Sequence, residues 1–149
     1  MNNQLGHIFT EALAEIIAQI SGFTLDVLPL EKEAGFDEMV GFMSLNSKKS
    51  GILSISANQD TMRMLCSFII GISKDEVTQE DIEDALCELV NMTAGSVKLR
   101  LNDEDYAFTL TTPFVISGKD LAIHTKKRAN IISAALGNGE MTIKLNIIY

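Results

Sequence analysis

The sequence predicts an α+β domain in which helices pack against an antiparallel sheet. Apolar residues recur at helical spacing in three stretches, residues 3–21, 58–70 and 78–101. Two blocks of short β-prone segments separated by polar turns, residues 23–57 and 106–148, make up most of the remainder. An Asn138-Gly139 pair between the last two segments is the signal of a tight antiparallel hairpin. The 149 residues are 46% apolar, and residues 1–149 are read as a single domain. A body of this length has a radius of gyration of about 15 Å and buries roughly two thirds of the surface its unfolded chain exposes.

In the first helix, residues 3–21, Leu5, Ile8, Phe9, Ala12, Leu13, Ile16, Ile17 and Ile20 share one face. Asn2 or Asn3 can cap it, and Gly22 stops it. The period then changes. Segments near 23–30, 36–46 and 51–57, divided by Glu31 to Gly35 and by the polar turn Asn46 to Ser50, read as three antiparallel strands. Asn58 caps a second helix that runs to about Ile70, and Thr78 with Asp81 three residues on resembles a capping pair opening the third and longest helix, to about Leu101. Tyr106–Thr111, Phe114–Ser117, Leu121–Thr125, Ile131–Leu136 and Met141–Ile148 read as further strands. In the last of these Met141, Ile143, Leu145 and Ile147 alternate with Thr142, Lys144 and Asn146, which predicts one buried and one wet face.

Composition excludes several functions. With 12 basic and 20 acidic residues the net charge is −8, whereas phosphate contacts on nucleic acids require clustered Lys and Arg. The basic run Lys126, Lys127 and Arg128 reads as a hairpin tip. No apolar run approaches a bilayer span, and the first 22 residues interleave Glu11 and Glu15 with apolar residues, so neither membrane insertion nor secretion is expected and the cytoplasm is the expected compartment. Cys66 and Cys87 lie inside amphipathic stretches as reduced, small apolar residues; Cys87 has no His beside it to activate a thiolate. His7 and His124 are far apart and unaccompanied, so no metal set and no cofactor of the chain's own is expected. Gly137-Asn138-Gly139 is a turn, not a strand-to-helix phosphate loop, and the seven Met residues read as core filler.

The third helix carries the candidate chemistry. At 100° per residue Ile82, Leu86, Leu89, Val97 and Leu101 fall on the side that packs on the sheet, while Asp84, Glu88, Asn91 and Gly95 fall opposite, in one exposed row about a turn apart. Gly95 costs roughly 1 kcal/mol relative to alanine inside a helix, which a close backbone approach, by the sheet beneath or a partner above, would explain. The acids from Asp75 to Glu88 also favour the helix dipole, and a wet helix face ordinarily holds polar residues. The first helix echoes the third 73 positions earlier: Glu11, Glu15, Ala18 and Gly22 stand against Asp84, Glu88, Asn91 and Gly95. Such an echo fits either an old duplication or two helices that are merely acidic and amphipathic.

Asp84, Glu88 and Asn91, continued as Asn91-Met92-Thr93-Ala94-Gly95, resemble the signature helix of the chemotaxis phosphatase family that includes CheC, CheX and FliY. The element order and the Thr112-Pro113 and Val115-Ile116-Ser117-Gly118-Lys119 segments extend the resemblance over essentially the whole chain, toward the CheX branch, which carries one active motif where CheC has two. The resemblance implies a CheC-like fold, an antiparallel sheet of about six or more strands against two long helices and a shorter one. It also implies a homodimer and hydrolysis of the aspartyl phosphate of a CheY-like response regulator in two-component signalling. In that chemistry Asn91 orients the attacking water and Glu88 binds the receiver's active-site lysine, while Asp84 and Gly95 dock the partner and the Mg2+ belongs to the receiver. A non-catalytic module that binds a receiver or a flagellar switch component is the alternative. A purely structural assembly domain would leave the row unexplained.

Overall fold

A computed structural model describes residues 2–30, 35–101, 107–125 and 129–149. Its helices are α1 (Asn2–Ser21), α2 (Gln59–Ile70) and α3 (Gln79–Arg100), with a 3-10 turn at Lys74–Glu76. Their ends follow from local chemistry. The Asn58 side chain accepts the Thr61 N–H at 2.8 Å to start α2. At the start of α3 the Thr78 hydroxyl accepts the Asp81 N–H at 3.2 Å, while the Asp81 carboxylate accepts the Thr78 N–H at 2.8 Å. Hydrogen bonds from the Thr78 backbone and then its hydroxyl hold the Asp81 carboxyl below its ordinary pKa. The cap is therefore fully formed above the ordinary carboxylate value and is lost as pH falls through the lowered one. Arg63 of α2 donates to the Val77 carbonyl at 2.6 Å and fixes the entry to α3. The capping expected of Asn2 or Asn3 rests on side chains outside the described set.

The described strands are β1 (Asp26–Leu28), β2 (Met39–Asn46), β3 (Gly51–Ala57), β4 (Thr109–Leu110), β5 (Phe114–Ser117), β6 (Ile131–Gly137) and β7 (Thr142–Ile148). They form one antiparallel sheet in the order β1-β6-β7-β3-β2-β4, with β5 on the same edge of β2 as β4. Between β4 and β5 stands Pro113, which has no N–H for a ladder. There the Thr111 hydroxyl donates to the Ser44 carbonyl at 2.9 Å in place of a backbone bond. The β6–β7 hairpin turns at Gly139 (φ 89), where the Asn138 side chain accepts the N–H groups of Glu140 and Met141 at 3.0 and 3.1 Å.

α1 and α3 pack side by side on one face of this sheet. Phe9, Leu13 and Ile17 of α1 and Ile82, Leu86 and Leu89 of α3 are buried beneath them, with Met39, Met43, Leu53 and Ile55 supplied by the sheet. Gly41 sets how closely α3 seats on β2, since a Cβ there would stand 2.7 Å from Val90 Cγ2 and 3.0 Å from Leu86 Cγ. With its inner face held in this way, α3 presents its opposite face to solvent. The far side of the sheet carries an aromatic cluster, Phe36, Phe42 and Phe114, with ring centroids 5.8 and 5.5 Å apart.

Four expectations require correction. The segment expected over 23–30 forms only Asp26–Leu28, and it pairs with β6, not with β2 or β3; Pro29 follows it, and Leu25 is spent in the core. Leu121–Thr125 is not a strand. Asp120 takes a left-handed backbone (φ 53) and turns the chain off the ladder that β5 makes with β2. The strand expected from Tyr106 is reduced to Thr109–Leu110, and Tyr106 itself lies outside the described residues, as do the Glu31 to Ala34 part of the expected linker and the expected hairpin tip Lys126 to Arg128. The expected wet face of β7 is wet only in part. Asn146 is 3% exposed and accepts the Ser133 hydroxyl at 2.6 Å, because Phe36, Leu121 and Ile123 stand around it.

Candidate functional site

α3 brings the four predicted site residues together in one row. Asp84, Glu88 and Asn91 are exposed, and Gly95 is half-buried. From Asp84 to Asn91 the row runs about 10 Å along the helix axis, within an arc of about 60°. Among the described residues no hydrogen bond or ion pair engages the side chains of Asp84, Glu88 or Asn91. Two carboxylates and a carboxamide thus stand in solvent on a helix whose other side is immobilised by the core, ready for a partner surface at no cost in broken contacts.

Gly95 can be assigned more narrowly than its sequence allowed. Apart from its chain neighbours and the backbone of its own helix, no described atom lies within 4 Å of the place a Cβ would take. The sheet therefore does not approach it, and the open space lies on the solvent side, in line with Asn91.

The corresponding row on α1 is different. His7 Nδ1 stands 3.3 Å from a Glu11 carboxylate oxygen, and Arg100 at the end of α3 forms a bidentate ion pair with Glu15. This pair, led by its hydrogen bond to Glu15, raises the Arg100 pKa above its ordinary value. Among the described residues Glu88 has no cation beside it, whereas Glu15 holds one from its own chain, and Ala18 offers no amide.

Sequence reasoning missed Arg100 because its partner lies 85 positions away. It also missed Leu99. This side chain is 87% exposed and falls four residues after Gly95, so it extends the row; the same helical wheel would have found it.

Burial, then the nearby carboxylates of Asp84 and Glu83, push the Cys87 thiol up from its ordinary pKa; burial leads the rise at Cys66 as well. Neither is a poised thiolate. His124 is exposed, and among the described residues no three His, Cys, Asp or Glu side chains gather as metal ligands. Among them, too, no helix is long and apolar enough to cross a membrane.

Among the described residues three helices and a seven-stranded antiparallel sheet make an α+β fold, with an acid-and-amide row along the longest helix. The chain belongs to the chemotaxis phosphatase CheX family, whose model, described as "Chemotaxis phosphatase CheX", matches residues 39–136. No curated protein matches its sequence. Among solved structures it is similar to a CheC-like superfamily protein from Shewanella sp. PV-4, at 24% identity and a TM-score of 0.84 over 99% of this chain and 98% of that one. It is similar to the chemotaxis protein CheX from Vibrio vulnificus at 20% identity and a TM-score of 0.82, over 99% and 97% of the two chains. A third likeness is to the CheX–CheY–BeF3–Mg2+ complex from Borrelia burgdorferi, at 17% identity and a TM-score of 0.76, over 95% and 96%. At these identities the likeness shows the fold.

Proposed function

We propose that this chain, acting as one domain over residues 1–149, hydrolyses the aspartyl phosphate of a CheY-like receiver in the cytoplasm. The observation that carries the reading is the free pair Glu88 and Asn91, one turn apart on an exposed, immobilised face, in a member of a family described as chemotaxis phosphatases. The Borrelia burgdorferi relative was solved with CheY, BeF3 and Mg2+, which supports a receiver as the partner and the magnesium as the receiver's.

In the reaction a water oxygen bonds to phosphorus as the bond from phosphorus to the aspartyl oxygen breaks. The products are the carboxylate and dihydrogen phosphate, which takes up both protons of the water and then exchanges one with solvent. The transition state is loose, so catalysis consists of placing the water in line and matching developing charge. Asn91 is suited to placing the water, because its carbonyl oxygen accepts a hydrogen bond from that water while its NH2 donates to a neighbouring oxygen. An amide is too weakly basic near pH 7 to remove the proton, so its contribution is orientation. Glu88 takes the receiver's active-site lysine and so fixes the depth to which Asn91 enters. Asp84 and the open space at Gly95 receive the surrounding partner surface.

The test is to mix the protein with phosphorylated receivers and follow phosphate loss with time. Loss faster than the receiver's own rate is expected; tight binding with no acceleration would mean a receiver-binding module instead. On this reading the α1 row is not a second site, because Glu15 is occupied by Arg100 and no amide follows. The double change Glu11→Ala and Glu15→Ala should leave turnover within about twofold of the parent, roughly 0.4 kcal/mol in barrier. A loss as large as that of Asn91→Ala, in a folded variant, would place the site on α1.

The reading includes a homodimer. β1 covers β6 only at Ala135 to Gly137, so the outer edge of Ile131 to Ala134 has no neighbouring strand among the described residues. Light scattering at micromolar concentration should give twice the 16.3 kDa chain mass; a monomeric mass would contradict it.

A further inference from the structure

We propose that the face of the sheet turned away from the helices holds a small-molecule site, a recess of about 200 Å3 that takes a small neutral compound with an apolar body and one carbonyl-type acceptor. It is separate from the α3 row and does not rest on the proposed function. Leu145 and Ile147 of β7 enter the core under the helices, so Asn146 and Ile148 point to the opposite face. Ile131 and Ser133 of β6 stand directly across the ladder from Ile148 and Asn146. Phe36, Leu121 and Ala122 form the outer wall of the recess, with Ala122 exposed at its rim.

Asn146 carries the argument. It lines the recess at only 3% exposure, and its Oδ1 accepts the Ser133 hydroxyl at 2.6 Å. That distance suits an O–H···O bond and is short for N–H···O, so the amide oxygen faces Ser133 and the NH2 faces away. Among the described residues this NH2 has no hydrogen-bond partner. Ser54, opposite Asn146 on β3, is 1% exposed, and its hydroxyl has no partner there either. Buried donors without acceptors are rare in folded proteins, because their lost hydration is not replaced. A single ordered water does not answer the deficit. The recess is several times the roughly 30 Å3 that a water occupies, and a buried water makes about three hydrogen bonds, whereas among the described lining residues Asn146 carries the one polar side chain.

The wall is held in place. The Phe36 ring packs edge-on against Phe42 with centroids 5.8 Å apart, and the next residue, Asp37, is pinned by an ion pair with Lys144 at 3.0 Å. That pair also engages the Lys144 charge, and the described lining residues are uncharged, so an ionic ligand would lose its hydration without gaining a counter-charge. An acceptor on a neutral ligand takes the Asn146 NH2, while its body rests on Phe36, Ile131 and Ile148. Apolar walls with one placed polar group are the usual make-up of a ligand site, and a volume below the roughly 300 Å3 at which most such sites begin limits the occupant to a small ring or short chain.

Titrating the isotope-labelled protein with cyclohexanone, cyclohexylamine and cyclohexanecarboxylate keeps one ring and varies its head group. The ketone is expected to shift the NMR signals of the Asn146 NH2 and of the Ile131 and Ile148 backbone amides with a Kd of about 1 mM, and both ions to bind at least about tenfold more weakly. Asn146→Leu, which keeps the size and removes the donor, should weaken the ketone about tenfold as read at Ile131 and Ile148. Ala122→Phe, at the exposed rim, should do the same by filling the recess, and it decides the matter if Asn146→Leu does not fold. No shift up to about 10 mM ketone would mean that water alone fills the recess and would overturn the site. Ketone binding within about twofold of the parent in a folded Asn146→Leu, or in Ala122→Phe, would overturn it as well. An ion that binds more tightly than the ketone would overturn the class of ligand.

Discussion

Replacing Asn91 by alanine should lower kcat for receiver dephosphorylation by about 100- to 1,000-fold, the usual cost of removing one preorganised polar group that acts in the transition state. The fold should not notice. Asn91 is exposed, its side chain makes no hydrogen bond among the described residues, and alanine is the better helix former, so the melting temperature should hold or rise slightly. Stopped-flow or phosphate-release kinetics on the parent and the variant, beside thermal melts of both, give the comparison. Asn91→Asp sharpens it. The acid is nearly the same size and still accepts a hydrogen bond from water, but it cannot donate and it brings negative charge to a phosphoryl dianion. It should be no better than alanine. An Asn91→Ala variant that retains turnover would remove water orientation from the mechanism, and an unfolded one would mean that the exposed reading of α3 is wrong.

The parts of this molecule that were legible in its sequence are those decided by near neighbours. The ends of α2 and α3 follow from Asn58 and from the Thr78–Asp81 pair, whose bonds span three residues. The outward placing of Asp84, Glu88 and Asn91 follows from a 3.6-residue period over a helix of 22 residues, long enough for the apolar side to be unambiguous. Strand partners were harder. The residues of β1 show a strand's composition but not which edge it joins, and its pairing of Asp26 with Gly137 crosses most of the chain. The segment Leu121–Thr125 has β-prone residues, yet the left-handed turn at Asp120 decides its path.

Two long-range contacts changed how the site itself is understood. The pairing of Glu15 with Arg100 separates an occupied row on α1 from a free one on α3, although their acids are spaced alike. Sequence spacing alone distinguishes the rows only by Ala18 against Asn91. The close seating of Gly41 under Val90 and Leu86 likewise has no local signal, yet it sets how closely α3 lies on β2.

Glu88→Ala should cost both binding and rate, in contrast to Asn91→Ala, where the loss falls on kcat. In the proposed complex Glu88 pairs with the receiver's lysine at a desolvated interface, and truncating one partner of such a pair costs about 2 kcal/mol or more, roughly thirtyfold in kcat/KM. Part of that loss is the receiver lysine left without its counter-charge. Glu88→Gln separates the contributions, since it keeps an acceptor but not the charge, and should fall between the parent and Glu88→Ala. Salt gives an independent reading. Screening weakens attraction between charges, so kcat/KM of the parent should fall as ionic strength rises, and Glu88→Ala should show a flatter dependence. Glu88 is exposed and has no side-chain partner among the described residues, so neither substitution should alter stability by more than about 0.5 kcal/mol. If Glu88→Ala binds and turns over the receiver as the parent does, with the same salt dependence, the lysine contact is wrong and the depth of Asn91 must be set by Asp84 and the surface around Gly95.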